Sequence, residues 1–318
     1  MQDQLNQMKE LINLLDQASR AYYQDAREIM SDHEYDTLYD TLLKLEQETG
    51  VVLSGSPTQK VGYPVLSELP KVAHETPMLS LDKTKSREAL REWLGDQAGV
   101  LSWKLDGLTV VMTYDGGELR QALTRGNGEE GEQITENART FLGLPLHIPY
   151  KGRLVVRGEA VISYKDFEAI NSGLSPEEQY KNPRNLCSGS VRQLNSQITA
   201  TRRVHYIVYT LVTSEDATGE IPFSKERKSR QLEQLADMGV ETVEWTRVCQ
   251  EQLLSAIDSY AERVSAEKYP SDGLVLTYDD IVYSASLGRT AKFPRDSMAF
   301  KWQDAPAETT LRQVEWQT

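Results

Sequence analysis

The sequence predicts an α+β fold, in which a small N-terminal helical module precedes a larger domain built on antiparallel sheets. Apolar residues recur at helical spacing over roughly the first 50 residues, whereas from about residue 99 they alternate with polar ones. Turn signals such as Asp115, Gly116 and Gly117 separate consecutive strand-like runs, as they do in antiparallel sheets. A stretch rich in Pro, Gly and Ser lies between the two patterns, so the chain divides into a helical part and a sheet part.

Residues 1–50 are predicted to form the helical module, with two helices. The second helix begins at Ser31, where Ser31 and Glu34 form a capping-box pattern, and it continues to Gly50. The first helix has its apolar face at Leu5, Met8, Leu11, Ile12 and Leu15. Residues 51–80 are predicted to be a linker that wraps over the surface toward the active site.

Residues 81–310 are predicted to form the larger domain. Its strands are expected near residues 101–106, 118–125, 154–162, 204–212, 273–277 and 297–302. Its helices are expected near residues 165–171, 225–238 and 251–264. Residues 311–318 resemble the opening of one more strand, which predicts a fragment cut at a domain boundary.

Composition excludes several classes of protein. With 39% hydrophobic and 26% charged residues in 318, the sequence is that of a folded globular protein, and no apolar run approaches the roughly 20 residues of a membrane helix. Cys187 and Cys249 are the only cysteines and have no CxxC spacing, and the four histidines have no metal-ligand spacing. The sequence therefore predicts no metal site of its own, and a reducing cytoplasm as the location.

The distribution of charge points to phosphates. A net charge of -13 argues against a general nucleic-acid-binding surface. Residues 179–214, however, contain no Asp or Glu, and they carry Lys181, Arg184, Arg192, Arg202 and Arg203. This segment indicates a phosphate-binding site, and chance clustering of ordinary surface cations is the alternative.

The KLDG segment is the sharpest candidate for chemistry. Strand alternation puts Ser102, Lys104 and Asp106 on one face, opposite Leu101 and Trp103. A lysine so placed is a nucleophile if neighbouring cations or burial lower its pKa from about 10.4. KLDG alone is a weak signal, because a surface lysine and aspartate before a turn give the same letters.

Three other segments add candidate ligand-binding residues. Arg125 opens a glycine-rich loop, which allows close approach of the backbone to a phosphate or carboxylate. Glu159 lies in a strand beside Gly158, where a bulge is expected and where a carboxylate suits a ribose hydroxyl or a metal. Lys301 lies opposite an apolar face, so its ammonium is expected to point into a cleft.

Taken in order, these segments resemble the bacterial NAD-dependent DNA ligases over nearly the whole chain. The matching segments are SDHEYD, SPTQKVG, PMLSLD, KLDG, TRGNGEEGE, RGE, NPRN with GSVRQL, SDGLVL and MAFKW. The resemblance implies an NMN-binding helical module and a nucleotidyltransferase domain of ATP-grasp-like fold. It also implies that residues 311–318 start a truncated OB-fold, and that Zn²⁺ belongs only to a C-terminal part outside this chain.

The resemblance implies a role for each site residue. Lys104 would attack the α-phosphate of NAD, forming lysyl-AMP and releasing NMN, and AMP would then pass to the 5′-phosphate of nicked double-stranded DNA. Asp106, Arg125, Glu159 and Lys301 would support the nucleophile and bind ribose or phosphate. Ser80 and Leu81 would line the adenosine pocket, and Arg184 and Arg192 would contact nucleotide or DNA phosphates. Tyr22, Tyr23, Asp32, Tyr35 and Asp36 would grip the nicotinamide nucleotide, Mg²⁺ would assist, and the chain would act as a monomer.

Three positions depart from the family pattern, and two other functions are therefore weighed. Ser102 stands where the family usually has Glu, Asn127 where Asp is common, and Thr277 where a lysine ends the strand. The first alternative is a degenerate homologue that binds NAD or DNA without chemistry. The second is a nucleotidyltransferase that acts on RNA or protein, which the NAD-type helical module disfavours.

Overall fold

The structure is a computed structural model that describes residues 2–23, 30–58, 68–216, 223–290 and 292–302. In these ranges the helices are α1 (Gln2–Tyr23), α2 (Asp32–Thr49), α3 (Arg87–Leu94), α4 (Thr135–Ala138), α5 (Tyr164–Ser172), α6 (Pro183–Val191), α7 (Ser196–Thr201), α8 (Lys228–Asp237), α9 (Gln250–Arg263) and α10 (Ile281–Leu287). The strands are β1 (Val52–Leu53), β2 (Lys71–Ala73), β3 (Asp82–Thr84), β4 (Gly99–Leu105), β5 (Leu108–Asp115), β6 (Glu118–Thr124), β7 (Glu130–Glu132), β8 (Pro145–His147), β9 (Arg153–Val161), β10 (His205–Glu215), β11 (Trp245–Val248), β12 (Ser271–Tyr278) and β13 (Ser297–Lys301). None of the described helices is long and apolar enough to cross a membrane.

Helices α1 and α2 pack against each other as the predicted helical module. Their shared core is apolar, and it is completed by Val51 and Leu53 at the start of the next segment. The predicted capping box is confirmed, since Ser31 Oγ accepts the N–H of Glu34 and the Glu34 carboxylate accepts the N–H of Ser31. Gly50 ends α2 in the left-handed conformation, as expected from its lack of a Cβ.

The first sheet has six strands in the order β1-β8-β6-β5-β9-β10, and every pairing in it is antiparallel. One of its faces forms the larger core with α4, α6 and α8, which contribute Ala138, Leu186, Val191 and Leu235. Strand β1 pairs with β8, and β2 pairs with β7. The segment predicted as a linker is therefore attached to the larger domain by two short strands.

The second sheet has the order β11-β4-β12-β13-β3. Its strands pair antiparallel except β3, which runs parallel to β13. Helices α3 and α9 cover one face through Leu90, Leu94, Leu253 and Ile257. The KLDG turn lies between β4 of this sheet and β5 of the first sheet, so it connects the two sheets at the point where their open faces meet.

The predicted α+β class with antiparallel sheets and an N-terminal helical part is confirmed. The helices and strands expected in the larger domain are present, with ends shifted by a few residues. Helices α3, α4, α6, α7 and α10 were not predicted from the sequence, because they have at most nine residues each and too few turns for a periodic pattern.

Candidate active site

A cavity of about 550 Å³ lies between the two sheets. Side chains of β4, β12 and β13 form one wall, and those of β5, β9 and β10 form the other. Eight of the predicted site residues line it: Ser80, Leu81, Lys104, Asp106, Arg125, Glu159, Arg184 and Lys301. Residues from six separate segments of the sequence thus meet at one place.

Two lysines share one carboxylate at the KLDG end of the cavity. Lys104 of β4 and Lys301 of β13 both pair with Gly273 of β12, so they lie on either side of that strand. Lys104 Nζ donates to Asp272 Oδ1 and Lys301 Nζ donates to Asp272 Oδ2, each at 2.7 Å. Burial opposes ionisation of Asp272, but the two hydrogen bonds outweigh it and hold the pKa of Asp272 below its usual value.

Glu159 connects the KLDG turn to β9. Its Oε1 accepts the backbone N–H of Gly107 at 3.3 Å, and its Oε2 accepts the hydroxyl of Thr109 at 3.0 Å. Burial raises the pKa of Glu159 to about 7, although these hydrogen bonds and the charges of Lys104 and Arg184 act in the opposite direction. Glu159 is therefore a carboxyl group that changes charge near neutral pH.

Arg184 reaches the same end of the cavity from the start of α6. Asn182 caps this helix by accepting the N–H of Asn185, and Pro183 occupies its first turn. Arg184 Nη1 donates to Asp106 Oδ1 at 2.6 Å. Arg192, at the other end of α6, does not line the cavity, and its Nε lies 2.8 Å from Glu132 Oε2.

Two arginines face the cavity with buried donors to spare. Arg125 Nη2 donates to Ser80 Oγ at 2.9 Å, and Arg157 Nη2 donates to the carbonyl oxygen of Thr76 at 3.0 Å. The Nε atoms of both arginines are buried without a hydrogen-bond partner in the described part of the chain. Buried donors of this kind are rare unless an acceptor joins them, which favours a ligand with phosphate or hydroxyl oxygens.

The glycine loop after Arg125 holds the segment that carries Ser80. Gly126 and Gly128 both adopt positive φ, at 54° and 96°, and the N–H of Met78 donates to Gly128 O at 2.9 Å. Asn127 Oδ1 accepts the N–H groups of Glu129 and Glu130, both at 2.9 Å. An Asn oxygen performs this turn-closing role as an Asp oxygen would, so the departure at position 127 leaves the loop intact.

The other two departures lie along the second sheet, away from Lys104. Along β12, Gly273 pairs with Lys104, Val275 pairs with Ser102, and Thr277 pairs with Val100. On its other side, Thr277 pairs with Ser297. Thr277 lies four residues beyond Gly273, which is about 13 Å along the strand. A residue at position 277 therefore belongs to the far end of the cavity.

The residues predicted to hold the nicotinamide nucleotide belong to α1 and α2. Tyr35 is half-buried and packs against the core of the helical module. The side chains of Tyr22, Tyr23, Asp32 and Asp36 lie outside the described residues.

Among the cavity residues that sequence reasoning missed are Arg157, Tyr209 and Lys228. It also missed Asp272, which binds the two lysines. Asp272 had a signal, because it precedes Gly273 at the start of a strand. Tyr209 is the extra residue of a bulge in β10, opposite Arg157 and Gly158. A bulge was predicted near Glu159 in β9, but it lies in the neighbouring strand, β10. The alternation of residues within β9 could not show a bulge in another strand.

Comparisons with known proteins agree with this geometry. Residues 66–305 match the family model described as the NAD-dependent DNA ligase adenylation domain, and residues 1–62 match the DNA ligase-like, N-terminal NAD+-binding domain. The chain is 52% identical over 320 residues to a DNA ligase of Lachnoclostridium phytofermentans and 53% identical over 317 residues to one of Ruminiclostridium cellulolyticum. Each alignment covers 99% of this chain and 48% of the relative, so the chain spans about half the length of the curated relatives it matches.

Among solved structures, an archaeal ATP-dependent RNA ligase resembles the chain at 14% identity and a TM-score of 0.42, over 83% of this chain and 64% of that one. That likeness is distant, whereas the family model covers most of the chain and its boundaries enclose every residue described at the cavity. The chain belongs to the NAD-dependent DNA ligase adenylation domain family.

Proposed function

We propose that this chain transfers AMP from NAD to Nζ of Lys104, as the first step in sealing nicked double-stranded DNA. The observation that carries the proposal is the shared carboxylate at Asp272. It holds Lys104 beside a second cation, Lys301, at one end of a cavity long enough for a nucleotide. The match to an NAD+-binding domain over residues 1–62 supports NAD as the donor.

The proposed step is a displacement at phosphorus. Nζ of Lys104 forms a bond to the α-phosphorus of NAD, the bond from that phosphorus to the bridging oxygen breaks, and NMN leaves with the bridging oxygen. The amine must lose a proton to attack, and Asp272, which is already hydrogen-bonded to it, would pass that proton on to solvent, because its lowered pKa makes it a poor final acceptor. Phosphoryl transfer depends mainly on position and charge neutralisation, which Lys301, Arg184 and the buried donors of Arg125 would supply.

The second half of the proposal concerns the acceptor and its setting. AMP would pass to the 5′-phosphate at a nick, with the chain acting as a monomer in the cytoplasm. The segment without acids at residues 179–214 supports contacts to phosphate, and Arg184 and Arg192 are its candidates. The described residues contain no group of three side chains suited to a metal, so Mg²⁺ is proposed only as an ion carried largely by the substrate phosphates.

The test is the intact mass of the chain before and after incubation with NAD and Mg²⁺. A gain of one AMP is expected for the wild type and for Lys225→Ala, which changes an exposed lysine outside the cavity. Lys104→Ala should gain nothing. An unmodified wild-type chain would favour a homologue that binds without chemistry, and an adduct in Lys104→Ala would refute the assignment of the nucleophile.

A further inference from the structure

The cavity has a second polar end, remote from the lysines and not used by the proposed transfer. Lys104 and Lys301 mark the first end, and Thr277 marks the second, about 13 Å along β12. This distance is comparable with the length of a nucleoside monophosphate. A nucleotide whose phosphate lies at Lys104 therefore reaches the second end with its base.

The wall between the two ends is suited to a base. Val275 and Ala299 form the floor on the second sheet, and the ring of Tyr209 lines the cavity from the first sheet. An aromatic ring opposite small apolar side chains gives a flat purine a stacking surface and excludes water around it. Ser102, which pairs with Val275, is a polar side chain in this middle part, but its hydroxyl can both donate and accept and therefore fits either purine. Selection is therefore expected from the second polar end.

Lys228 closes that second end. It is the first residue of α8, and its backbone N–H donates to Asp279 O at 2.8 Å, next to the end of β12. Its Nζ donates to Thr210 Oγ1 of β10 at 3.0 Å, so the side chain extends from the second sheet to the first. Burial lowers the pKa of Lys228, and Asp296 acts against this effect. An ammonium has only donors, so Lys228 offers this end of the cavity a hydrogen-bond donor.

Thr277 offers a hydrogen-bond acceptor at the same end. Its hydroxyl proton is used in a hydrogen bond to Ser297, which leaves the lone pairs of its oxygen. Ser297 Oγ donates to Asp296 Oδ1 at 3.2 Å, since a carboxylate can only accept. Ser297 has one hydroxyl proton, and when it gives that proton to Asp296, the threonine is the donor in the 3.1 Å contact between the two hydroxyls. The lone pairs of Thr277 Oγ1 that this contact does not use are the ones left for a ligand.

We propose that Lys228 and Thr277 together select adenine as the base of the dinucleotide, an inference that rests on the proposed function. Adenine presents a ring acceptor, N1, beside an amino donor on C6, which complements an ammonium donor beside a hydroxyl acceptor. Hypoxanthine and guanine present the reverse order, an N1–H donor beside a carbonyl acceptor. With these bases, the ammonium of Lys228 would face the N1–H group. Both groups are hydrogen-bond donors and cannot pair, so two buried donors would stay unsatisfied.

The experiment compares NAD with its hypoxanthine analogue, deamino-NAD, in self-adenylation of the full chain followed by intact mass. The wild type should prefer NAD in kcat/KM. In Lys228→Met and in Thr277→Val, the ratio of kcat/KM for NAD to kcat/KM for deamino-NAD should fall about tenfold or more. The fall should come from a higher KM for NAD, while kcat stays nearly the same. Lys225→Met, which removes an exposed lysine just before α8, should keep the wild-type preference, and Lys228→Arg should keep most of it.

The outcomes separate this inference from the proposed function. A wild type that gains no AMP from NAD overturns both. A wild type that is modified equally by the two dinucleotides, or two variants with the wild-type preference, overturns only the assignment of Lys228 and Thr277. A change in one variant alone overturns the pairing of the two residues. Circular dichroism checks the fold, and if Lys228→Met does not fold, the isosteric Thr277→Val decides.

Discussion

Glu159 accepts a hydrogen bond from the backbone of Gly107, with 3.3 Å between Oε1 and N. The contact fixes the KLDG turn against β9, three residues from Lys104 in the chain. Since the acceptor is a carboxyl group with a pKa of about 7, the turn beside the nucleophile responds to pH in the neutral range.

Glu159 should make the chain less stable as the pH rises through neutrality. Burial raises its pKa from 4.5 to about 7, so the folded chain binds the proton more tightly than the unfolded chain. The resulting stabilisation is fully present below the unfolded pKa and is lost as pH rises through about 7. From about pH 5 to about pH 8, Glu159→Gln should therefore gain up to about 3 kcal/mol in free energy of unfolding relative to wild type. Urea denaturation of both chains measures this, and a difference independent of pH would contradict it.

Asp272→Asn should slow self-adenylation about a hundredfold or more. The change removes the carboxylate that Lys104 and Lys301 share, so the nucleophile loses its proton acceptor and the two ammonium groups repel each other. The rate of AMP addition, followed by mass, measures the effect. Asp258→Asn is the control, because Asp258 pairs with Arg87 at an exposed site. Equal rates in the two variants would show that Asp272 is dispensable.

Gly107→Ala should destabilise the chain by about 2 kcal/mol or more. A Cβ at this position would lie 2.0 Å from the carbonyl oxygen of Ala160, so the turn would have to move away from β9. Gly173→Ala is the matched control, since its nearest contact would be an ordinary 3.5 Å from Ile170 O. Thermal unfolding of the three chains tests this, and the expectation fails if the two variants melt together.

The helical module should confer the preference for NAD over ATP. Replacing Tyr22 and Asp36 by Ala is expected to reduce AMP transfer from NAD at least tenfold. The resemblance to NAD-dependent DNA ligases implies that these two residues bind the nicotinamide nucleotide. ATP should label neither the wild type nor the variant appreciably. Efficient labelling of the wild type by ATP would refute the preference.

The sequence was sufficient for the parts of the site that follow strand alternation. Phase alone predicted that Lys104 lies on the polar face of its strand and that Lys301 points into a cleft, and both residues line the cavity. It was insufficient where a contact joins distant segments through a loop or a helix end. The pairing of Arg184 with Asp106, 78 residues apart, depends on α6, which is too short to be predicted from periodicity.

The far end of the cavity illustrates the same limit. Position 277 departs from the family pattern, and nothing near it in the sequence replaces the missing cation. The cation beside it in space is Lys228, which is brought there because α8 begins at the backbone of Asp279. Such a neighbour follows from the packing of α8 on the sheet, which no local pattern encodes.

The carboxylate shared by two lysines also limits how often the proposed reaction can run. Before transfer, Lys104, Lys301 and Asp272 together leave one positive charge, which attracts a phosphate. A Lys104 bonded to phosphorus is no longer a cation, so within this trio Lys301 and Asp272 cancel each other, and the attached AMP adds negative charge beside the remaining arginines of the cavity. A second dinucleotide would then find the cavity occupied and this end less attractive to a phosphate. The chain should load a single AMP and hold it until an acceptor carries that AMP away.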